Sequence, residues 1–225
     1  IAELSSCEHV IQPSFGDIYQ QTHPLKGNWA ETIFKNNNPV TLELGCGKGE
    51  YTVELAGRFP GKNYIGIDIK GARMWKGAKQ SMEKGLKNVA FLRTQIEFLG
   101  SFFAEDEVSE IWITFPDPQE KERRAKKRLT STRFLQIYSR LLVNYGKIHL
   151  KTDNRLLYSY TREIIRLNNL PVIREMDDIY AGDPVENLTD IQTYYERKWL
   201  EEKRTISYLC FQVIKKKYFE YPESA

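Results

Sequence analysis

The chain has 225 residues, of which 41% are hydrophobic and 28% charged, and its formal net charge is +3. This is the composition of an ordinary globular domain, and no apolar run is long enough for a membrane span. The scattered Cys7, Cys46 and Cys210 argue against a zinc site or a disulfide framework, so we expect no metal and a cytoplasmic location. We predict one domain, with residues 1–38 as an N-terminal arm and residues 39–225 as its core.

The N-terminal arm is rich in loop signals and in aromatic residues. Its loop signals are Pro13, Pro24 and the Asn36–Asn38 cluster, and Pro39 follows directly after it. Its aromatic residues are Phe15, Tyr19, Trp29 and Phe34. These side chains predict an ordered arm that covers the sheet, and packing on a ligand is the alternative.

Beyond the arm, short apolar runs alternate with segments of helical periodicity. The predicted strands are Val40–Leu44, Tyr64–Asp68, Val89–Arg93, Glu110–Phe115, Lys147–Thr152, Val172–Met176 and Thr205–Ile214. The predicted helices are Glu50–Phe59, Gly71–Lys84, Ser131–Leu142, Arg155–Asn168 and Ile191–Lys203. This alternation predicts an α/β fold with helices on both faces of a mostly parallel sheet, and the late Thr205–Ile214 adds an antiparallel strand.

A glycine-rich turn follows the first predicted core strand. Gly45, Gly47 and Gly49 stand at alternate positions, and Glu43 lies just before them. A strand, a glycine turn and a helix N-terminus make a nucleotide-type cofactor site. The acidic Glu43 would repel a pyrophosphate but suits the cationic S-adenosylmethionine. The G-x-G-x-G spacing likewise disfavours a nicotinamide dehydrogenase.

Two further residues complete the predicted cofactor site. Asp68 ends the next strand, at about the spacing from Gly45 at which an acid grips ribose hydroxyls. Gln95 follows the third core strand, where a polar side chain can meet the adenine amino group. The alternatives are a helix-capping Asp68 and a solvated Gln95.

A Pro-Asp-Pro turn follows the fourth core strand. Pro116 and Pro118 fix the direction of Asp117 between them, beside the cofactor crevice. We predict that Asp117 acts on the substrate, and a plain turn residue is the alternative. The six basic residues that follow are Lys121, Arg123, Arg124, Lys126, Lys127 and Arg128. Such a run over the mouth of the site suits a phosphate backbone, although most basic runs are only solvated faces.

Two polar segments are predicted to close the crevice. Lys151–Asn154 ends the fifth core strand and carries Asp153, and Thr193–Glu196 opens the last predicted helix. Thr193 and Glu196 have the spacing of a capping box. In the functional interpretation they bind a guanine edge, while Tyr194 or Tyr195 stacks on the base.

Taken in order, four motifs resemble those of the bacterial tRNA (guanine-N7)-methyltransferases. They are Glu43–Gly49, Phe115–Pro118 with Arg128–Thr130, Lys151–Asn154, and Thr193–Glu196. The resemblance covers Lys26 to Val213. It implies a Rossmann-like class I methyltransferase with a seven-stranded sheet, one strand of which is antiparallel. It also implies methyl transfer from S-adenosylmethionine to N7 of guanine 46 in the variable loop of tRNA, by a monomer or a homodimer.

The resemblance implies roles for particular residues. It assigns Glu43, Gly45, Gly47, Asp68, Gln95 and Asp117 to the cofactor. It assigns Lys121, Asp153, Thr193, Tyr194, Tyr195 and Glu196 to the RNA guanine. The chain departs from the family pattern at Gln95, Gln119 and Arg124, where the family commonly has an acid or asparagine, a tryptophan and a histidine.

The chemistry that the resemblance implies needs few catalytic groups. Guanine N7 carries a free lone pair, so positioning supplies most of the rate. A carboxylate stabilises the charge that develops on the ring, with Asp117 the first candidate and Asp153 the second. Two alternatives stay open: a class I methyltransferase for a protein or small molecule, and a non-catalytic RNA-binding module.

Overall fold

A computed structural model describes residues 9–14, 16, 22–216 and 218–222. Cys7, Phe15, Tyr19 and Lys217 lie outside that range. Within it, no helix has the length and apolar character needed to cross a bilayer.

A single twisted sheet organises the chain. Its strands are β1 Val10–Ile11, β2 Val40–Leu44, β3 Asn63–Asp68, β4 Val89–Arg93, β5 Val108–Thr114, β6 Leu142–Thr152, β7 Val172–Met176 and β8 Ser207–Val213. They are ordered β1-β4-β3-β2-β5-β6-β8-β7. Only β8 runs against its neighbours β6 and β7, and the other pairs among the described strands are parallel.

Helices pack on both faces of this sheet. They are α1 Glu50–Arg58, α2 Gly71–Glu83, α3 Leu99–Phe102, α4 Thr132–Leu141, α5 Arg155–Leu167 and α6 Tyr194–Glu201. Two 3-10 turns, Ile96–Phe98 and Glu122–Lys127, and a π-helical turn, Ala30–Phe34, complete the regular structure. One buried cluster joins α4 and α5 to the sheet, and the other joins α1 and α2 to its opposite face.

Local sequence explains where these elements begin. α5 starts because the side chain of Asn154 accepts a hydrogen bond of 2.9 Å from the Leu157 backbone N–H. Its buried face then repeats every three to four residues through Leu157, Thr161 and Ile164. β2 is buried along its whole length, as a central parallel strand must be.

The structure confirms the predicted fold class and adds detail to it. Seven strands with antiparallel β8 form the predicted sheet, and the two-residue β1 extends it by pairing with β4. β6 begins five positions before the predicted Lys147. α4 ends at Leu141 and runs straight into this strand, with Tyr145 at a positive φ of 61°.

The described part of the N-terminal arm packs on the sheet layer. Trp29 is fully buried, donates its indole N–H to the Phe102 carbonyl oxygen at 2.8 Å and stacks on Phe103. The Glu107 carboxylate accepts hydrogen bonds from the backbone N–H groups of Gly27 and Ala104, at 2.9 and 2.7 Å. These contacts fix residues 25–34 against the domain.

The order of the strands determines where a ligand can bind. From β2 the chain winds outward through β3 and β4, and it returns to start again at β5 on the other side of β2. The carboxyl ends of β2 and β5 therefore mark the point at which the winding reverses. Open α/β sheets bind their ligands in the crevice outside such a point.

Candidate active site

The glycine turn after β2 is held open by backbone hydrogen bonds. The N–H groups of Gly45 and Cys46 both donate to the Ile67 carbonyl oxygen, at 2.8 and 3.0 Å. Gly45, Gly47 and Gly49 have φ values of 73°, 54° and 70°, a region that favours glycine. A Cβ added at Gly45 or Gly47 would meet nothing within 4 Å, so the turn faces open space.

Three glycines surround the buried ring of Phe91 beneath this turn. Added Cβ atoms at Gly49, Gly66 and Gly77 would lie 2.6, 2.8 and 2.8 Å from the ring of Phe91. At Gly77 the Cβ would also approach the Lys48 carbonyl oxygen to 2.7 Å. The absence of these side chains lets α2 pack directly against the glycine turn.

Glu43 lies behind the turn and is only 4% exposed. Its carboxylate accepts hydrogen bonds from the Thr52 N–H at 2.9 Å, the Thr52 hydroxyl at 2.5 Å and the Thr114 hydroxyl at 2.8 Å. Burial raises the pKa of Glu43 to about 7, and the hydrogen bonds from Thr52 and Thr114 act in the opposite direction. The carboxylate thus braces β2 against α1 and β5 while it borders the cleft.

Asp68 lies at the end of β3, directly across from the glycine turn. Its Oδ2 accepts from the Gly47 N–H at 2.9 Å, and its Oδ1 accepts from the Lys70 N–H at 2.8 Å. The next side chain, Ile69, is 51% exposed and places an apolar surface at this edge. Gln95 is exposed before the 3-10 turn Ile96–Phe98 and is not among the residues that line the cleft.

The Pro-Asp-Pro turn forms the second wall of the cleft. Phe115 and Gln119 both have φ of 48°, so the chain bends sharply on either side of Asp117. The exposed Asp117 carboxylate accepts a hydrogen bond of 3.0 Å from the Gln119 N–H. The Phe115 N–H donates to the Lys151 carbonyl oxygen at 2.8 Å, which ties the turn to β6.

Arg128 corrects the expectation that the whole basic run faces a phosphate backbone. Its side chain is 2% exposed, donates to the carbonyl oxygens of Gln119 and Glu120 at 3.3 and 3.4 Å, and stacks on Tyr160. It therefore supports the Pro-Asp-Pro turn from inside. The sequence showed a basic residue here but not that its side chain points inward.

The other five basic residues of the run are exposed. They are Lys121, Arg123, Arg124, Lys126 and Lys127. No carboxylate in the described part of the chain lies within ion-pair distance of any of them, and Lys127 lines the cleft. The adjacent Glu122 pairs instead with the buried Arg128, at 3.6 Å. The 3-10 turn Glu122–Lys127 thus presents uncompensated positive charge.

The start of α6 forms the third wall. The Thr193 hydroxyl caps the helix by accepting a hydrogen bond of 3.2 Å from the Glu196 N–H, as the capping-box spacing predicted. Thr193 and Tyr195 line the cleft. Tyr194 is exposed, with the Lys48 ammonium 3.8 Å from its ring centroid, and its N–H donates to Glu50 at 2.9 Å.

The structure places two predicted guanine contacts away from the cleft surface. Glu196 is fully buried and forms an ion pair of 2.6 Å with the equally buried Lys151. Asp153 forms an ion pair of 2.9 Å with Arg204 and does not line the cleft. Glu196 therefore uses its carboxylate behind the wall and presents none of it to the cleft.

The glycine turn with Asp68 is the first wall, and together the three walls enclose a cleft of about 470 Å³. It combines acidic and basic groups, namely Glu43, Glu50, Asp68 and Asp117 with Lys48, Lys70, Arg73 and Lys127. Sequence reasoning missed Lys48, Glu50, Lys70 and Arg73 as lining residues. Lys48 lies inside the glycine motif itself, whereas no spacing rule pointed to Lys70 or Arg73. Within the described residues, no cluster of three or more acidic, His or Cys side chains is arranged to hold a metal ion.

Comparisons with known proteins agree with this architecture. A family model described as "Putative methyltransferase" matches residues 37–209. A tRNA (guanine-N(7)-)-methyltransferase of Porphyromonas gingivalis is 57% identical over 211 residues, which are 92% of this chain and 86% of that protein. A protein of the same name from Bacteroides fragilis is 50% identical over 210 residues, covering 93% of this chain and 82% of that protein.

Solved structures show the same fold at low sequence identity. An antibiotic-related methyltransferase matches with a TM-score of 0.63 at 17% identity, covering 86% of this chain and 96% of that one. The 16S rRNA methyltransferase KamB matches with a TM-score of 0.62 at 14% identity, covering 82% of this chain and 92% of that one. These likenesses support the class I methyltransferase architecture.

Proposed function

The chain belongs to the tRNA (guanine-N7)-methyltransferase family, and we propose which parts of its cleft bind the cofactor and the RNA and which residue is catalytic. The enzyme methylates N7 of guanine in tRNA. Our proposal is that S-adenosylmethionine is the methyl donor and that the target is guanine 46 of the variable loop. The observation that supports it most is one cleft with a glycine turn at its floor and uncompensated cations at its rim.

In this proposal the glycine side of the cleft holds the cofactor. The open faces of Gly45 and Gly47 leave room for a ligand against the backbone, and Asp68 has carboxylate oxygens suited to ribose hydroxyls. The oxygens of Glu43 are already engaged by Thr52 and Thr114. Glu43 therefore acts on the cofactor through its negative potential behind the turn and not through a direct hydrogen bond. Gln95 stays a prediction for the adenine edge.

Asp117 is the proposed catalytic residue. S-adenosylmethionine supplies an electrophilic methyl group, and guanine N7 carries a free lone pair, so no base is required. The Gln119 N–H and the flanking prolines hold the Asp117 carboxylate at the cleft edge. A carboxylate fixed there stabilises the positive charge that develops on the guanine ring, without a cost of reorganisation during the reaction.

The opposite side of the cleft receives the RNA in this proposal. Lys121 and the other exposed cations of the run bind phosphates, because they have no competing carboxylate among the described residues. Tyr194 and Tyr195 offer aromatic faces for stacking on an unpaired base, and the Thr193 hydroxyl adds a polar contact. Asp153 is the remaining proposed contact, and it must exchange its ion pair with Arg204 to reach a base.

We infer that the enzyme works in the cytoplasm as a monomer or a homodimer, and that residues 1–38 and 39–225 act as one domain. The function is tested by methyl transfer from labelled S-adenosylmethionine to unmodified tRNA transcript. A companion transcript carries adenine in place of guanine 46. Label in the first transcript alone supports the proposal. Label in both moves the target base, and label in neither, with the cofactor still bound, overturns it in favour of a protein or small-molecule acceptor.

A further inference from the structure

Lys151 is a buried cation at the end of β6 to which the proposed methyl transfer assigns no step. It is completely inaccessible to solvent, and its ammonium forms an ion pair of 2.6 Å with Glu196. The same ammonium donates to the carbonyl oxygens of Leu188 and Ile191, the latter at 3.3 Å. Three of its acceptors thus belong to the segment 188–196, which carries the third wall of the cleft.

Glu196 extends this connection to the preceding loop. Its Oε1 also accepts a hydrogen bond of 2.8 Å from the Tyr180 hydroxyl, and that hydroxyl accepts one of 3.1 Å from the Gln192 side chain. Its Oε2 has no donor among the described residues. Burial lowers the pKa of Lys151 and raises that of Glu196, so each charge depends on the other. Removing one partner would leave the second charge buried without compensation.

Lys151 also contacts the second wall, through its backbone. Its carbonyl oxygen accepts a hydrogen bond of 2.8 Å from the Phe115 N–H, at the start of the turn that carries Asp117. Thr193 and Tyr195 lie between the anchored carbonyl of Ile191 and the anchored side chain of Glu196. One residue therefore fixes both walls between which a base must lie.

We propose that Lys151, acting through Glu196, is a positioning residue that sets the distance between the Asp117 turn and the wall formed by Thr193 and Tyr195. This inference rests on the proposed function of the same cleft. Both side chains are inaccessible to solvent and lie behind the cleft surface. Their role is to keep guanine N7 in line with the methyl group, where a displacement of about 1 Å can reduce the rate roughly 100-fold.

The energetics of buried ion pairs provide a sharp test. Replacing such a pair by apolar side chains of similar volume is often neutral or stabilising, because desolvation offsets the attraction. The double variant Lys151→Met with Glu196→Leu leaves no unpaired buried charge, so its urea midpoint should fall less than that of Lys151→Met alone, although the carbonyl oxygens of Leu188 and Ile191 lose a donor. A role in stability alone would leave its catalysis unchanged.

The experiment measures kcat and KM for tRNA, the Kd for S-adenosylmethionine and the urea midpoint of each variant. For the double variant we expect a loss in kcat of roughly 100-fold, with a cofactor Kd within about twofold of the parent value. Parent kcat in a stably folded double variant overturns the inference, as does a cofactor Kd that rises in step with the loss in kcat.

Asn88→Leu is the matched control. The buried Asn88 side chain donates to the carbonyl oxygens of Ala56, Phe59 and Lys62 at the opposite end of the sheet. It resembles Lys151 as an anchor of backbone carbonyls but lies far from the cleft walls. We expect this variant to lower the urea midpoint and to keep the parent kcat, and an equal loss of kcat would overturn the assignment.

A second variant and a second measurement cover the remaining cases. Glu196→Gln keeps the acceptor for Lys151 and Tyr180 and should retain more activity than the double variant. If the parent itself methylates no tRNA, the proposed function fails, and amide hydrogen exchange still tests the anchor. We compare amide exchange in the double variant with that in the parent. An increase confined to residues 188–196, with α2 unchanged, supports positioning. The same change in both segments overturns it.

Discussion

Replacing Glu43 with glutamine removes a buried carboxylate whose ionisation opposes folding at neutral pH. Burial raises the pKa of Glu43 from 4.5 to about 7, although the hydrogen bonds from Thr52 and Thr114 lower it. Between these two values the folded protein binds more protons at this site than the unfolded chain does. The contribution of Glu43 to stability is thus present below pH 4.5 and is lost as the pH rises through about 7.

The size of this effect follows from the shift in pKa. One pKa unit corresponds to about 1.4 kcal/mol, so the change from 4.5 to about 7 corresponds to about 3 kcal/mol. Solvent screening removes little of it, because the residue is only 4% exposed. Glutamine does not titrate. The free energy of unfolding of Glu43→Gln, minus that of the parent, should therefore increase by about 3 kcal/mol across this pH window.

Urea unfolding of both proteins at a series of pH values measures this difference. Glu83→Gln is the control, because the Glu83 side chain in α2 is 63% exposed and should give a profile parallel to that of the parent. Parallel profiles for Glu43→Gln and the parent would refute the reasoning. Saturating S-adenosylmethionine should flatten the parent profile, since a cation at the turn favours ionised Glu43.

Four further variants separate the proposed roles. Arg128→Met should lower the free energy of unfolding by about 1–3 kcal/mol, measured by urea unfolding, and should leave the salt dependence of tRNA affinity unchanged. The pair Lys126→Ala and Lys127→Ala should keep the parent stability and reduce the slope of log affinity against log salt by about 2. Asp68→Ala should weaken cofactor binding about 10- to 100-fold in a titration, with tRNA affinity retained. Asp117→Ala should lower kcat about 100-fold or more, with little change in the Kd for tRNA.

The results that would contradict these expectations are equally distinct. An unchanged salt slope for the lysine pair would make the run a solvated face, and a reduced slope for Arg128→Met would place that guanidinium on the RNA. If Asp68→Ala binds S-adenosylmethionine as tightly as the parent does, Asp68 does not bind the ribose. Equal losses in kcat and tRNA affinity would make Asp117 structural.

The sequence predicted best where local chemistry determines the structure. Val40–Leu44 and Val89–Arg93 have the predicted bounds, because short runs of mostly β-branched and apolar residues between turn signals leave little choice of element. The start of β6, at residues 142–146, was harder to predict. Asn144, Tyr145 and Gly146 have the composition of a turn, and Tyr145 does adopt a positive φ, yet the chain enters β6 directly from α4.

Side-chain direction is what the sequence could not reveal at the site. Glu196 has the spacing of a capping box, but its carboxylate turns inward to Lys151, which lies 45 positions earlier in the chain. Arg128 stands in a run of exposed cations and is itself buried. Both outcomes depend on which neighbour the fold brings close, and a linear pattern contains no information on that distance.

The packing of Phe91 among glycines limits the order in which this chain can accept mutations. At Gly66 a methyl group would lie 2.8 Å from the ring of Phe91 and 2.9 Å from the Thr52 hydroxyl. Gly66→Ala should thus be harmful alone and better tolerated after Phe91 has become a smaller apolar residue. Gly77 has no such route, since its added methyl group also meets the backbone oxygen of Lys48. Beneath the proposed cofactor site, substitutions far apart in the sequence are therefore coupled: a change at Phe91 relieves part of the clash at Gly66, whereas it leaves the clash of Gly77 with the backbone.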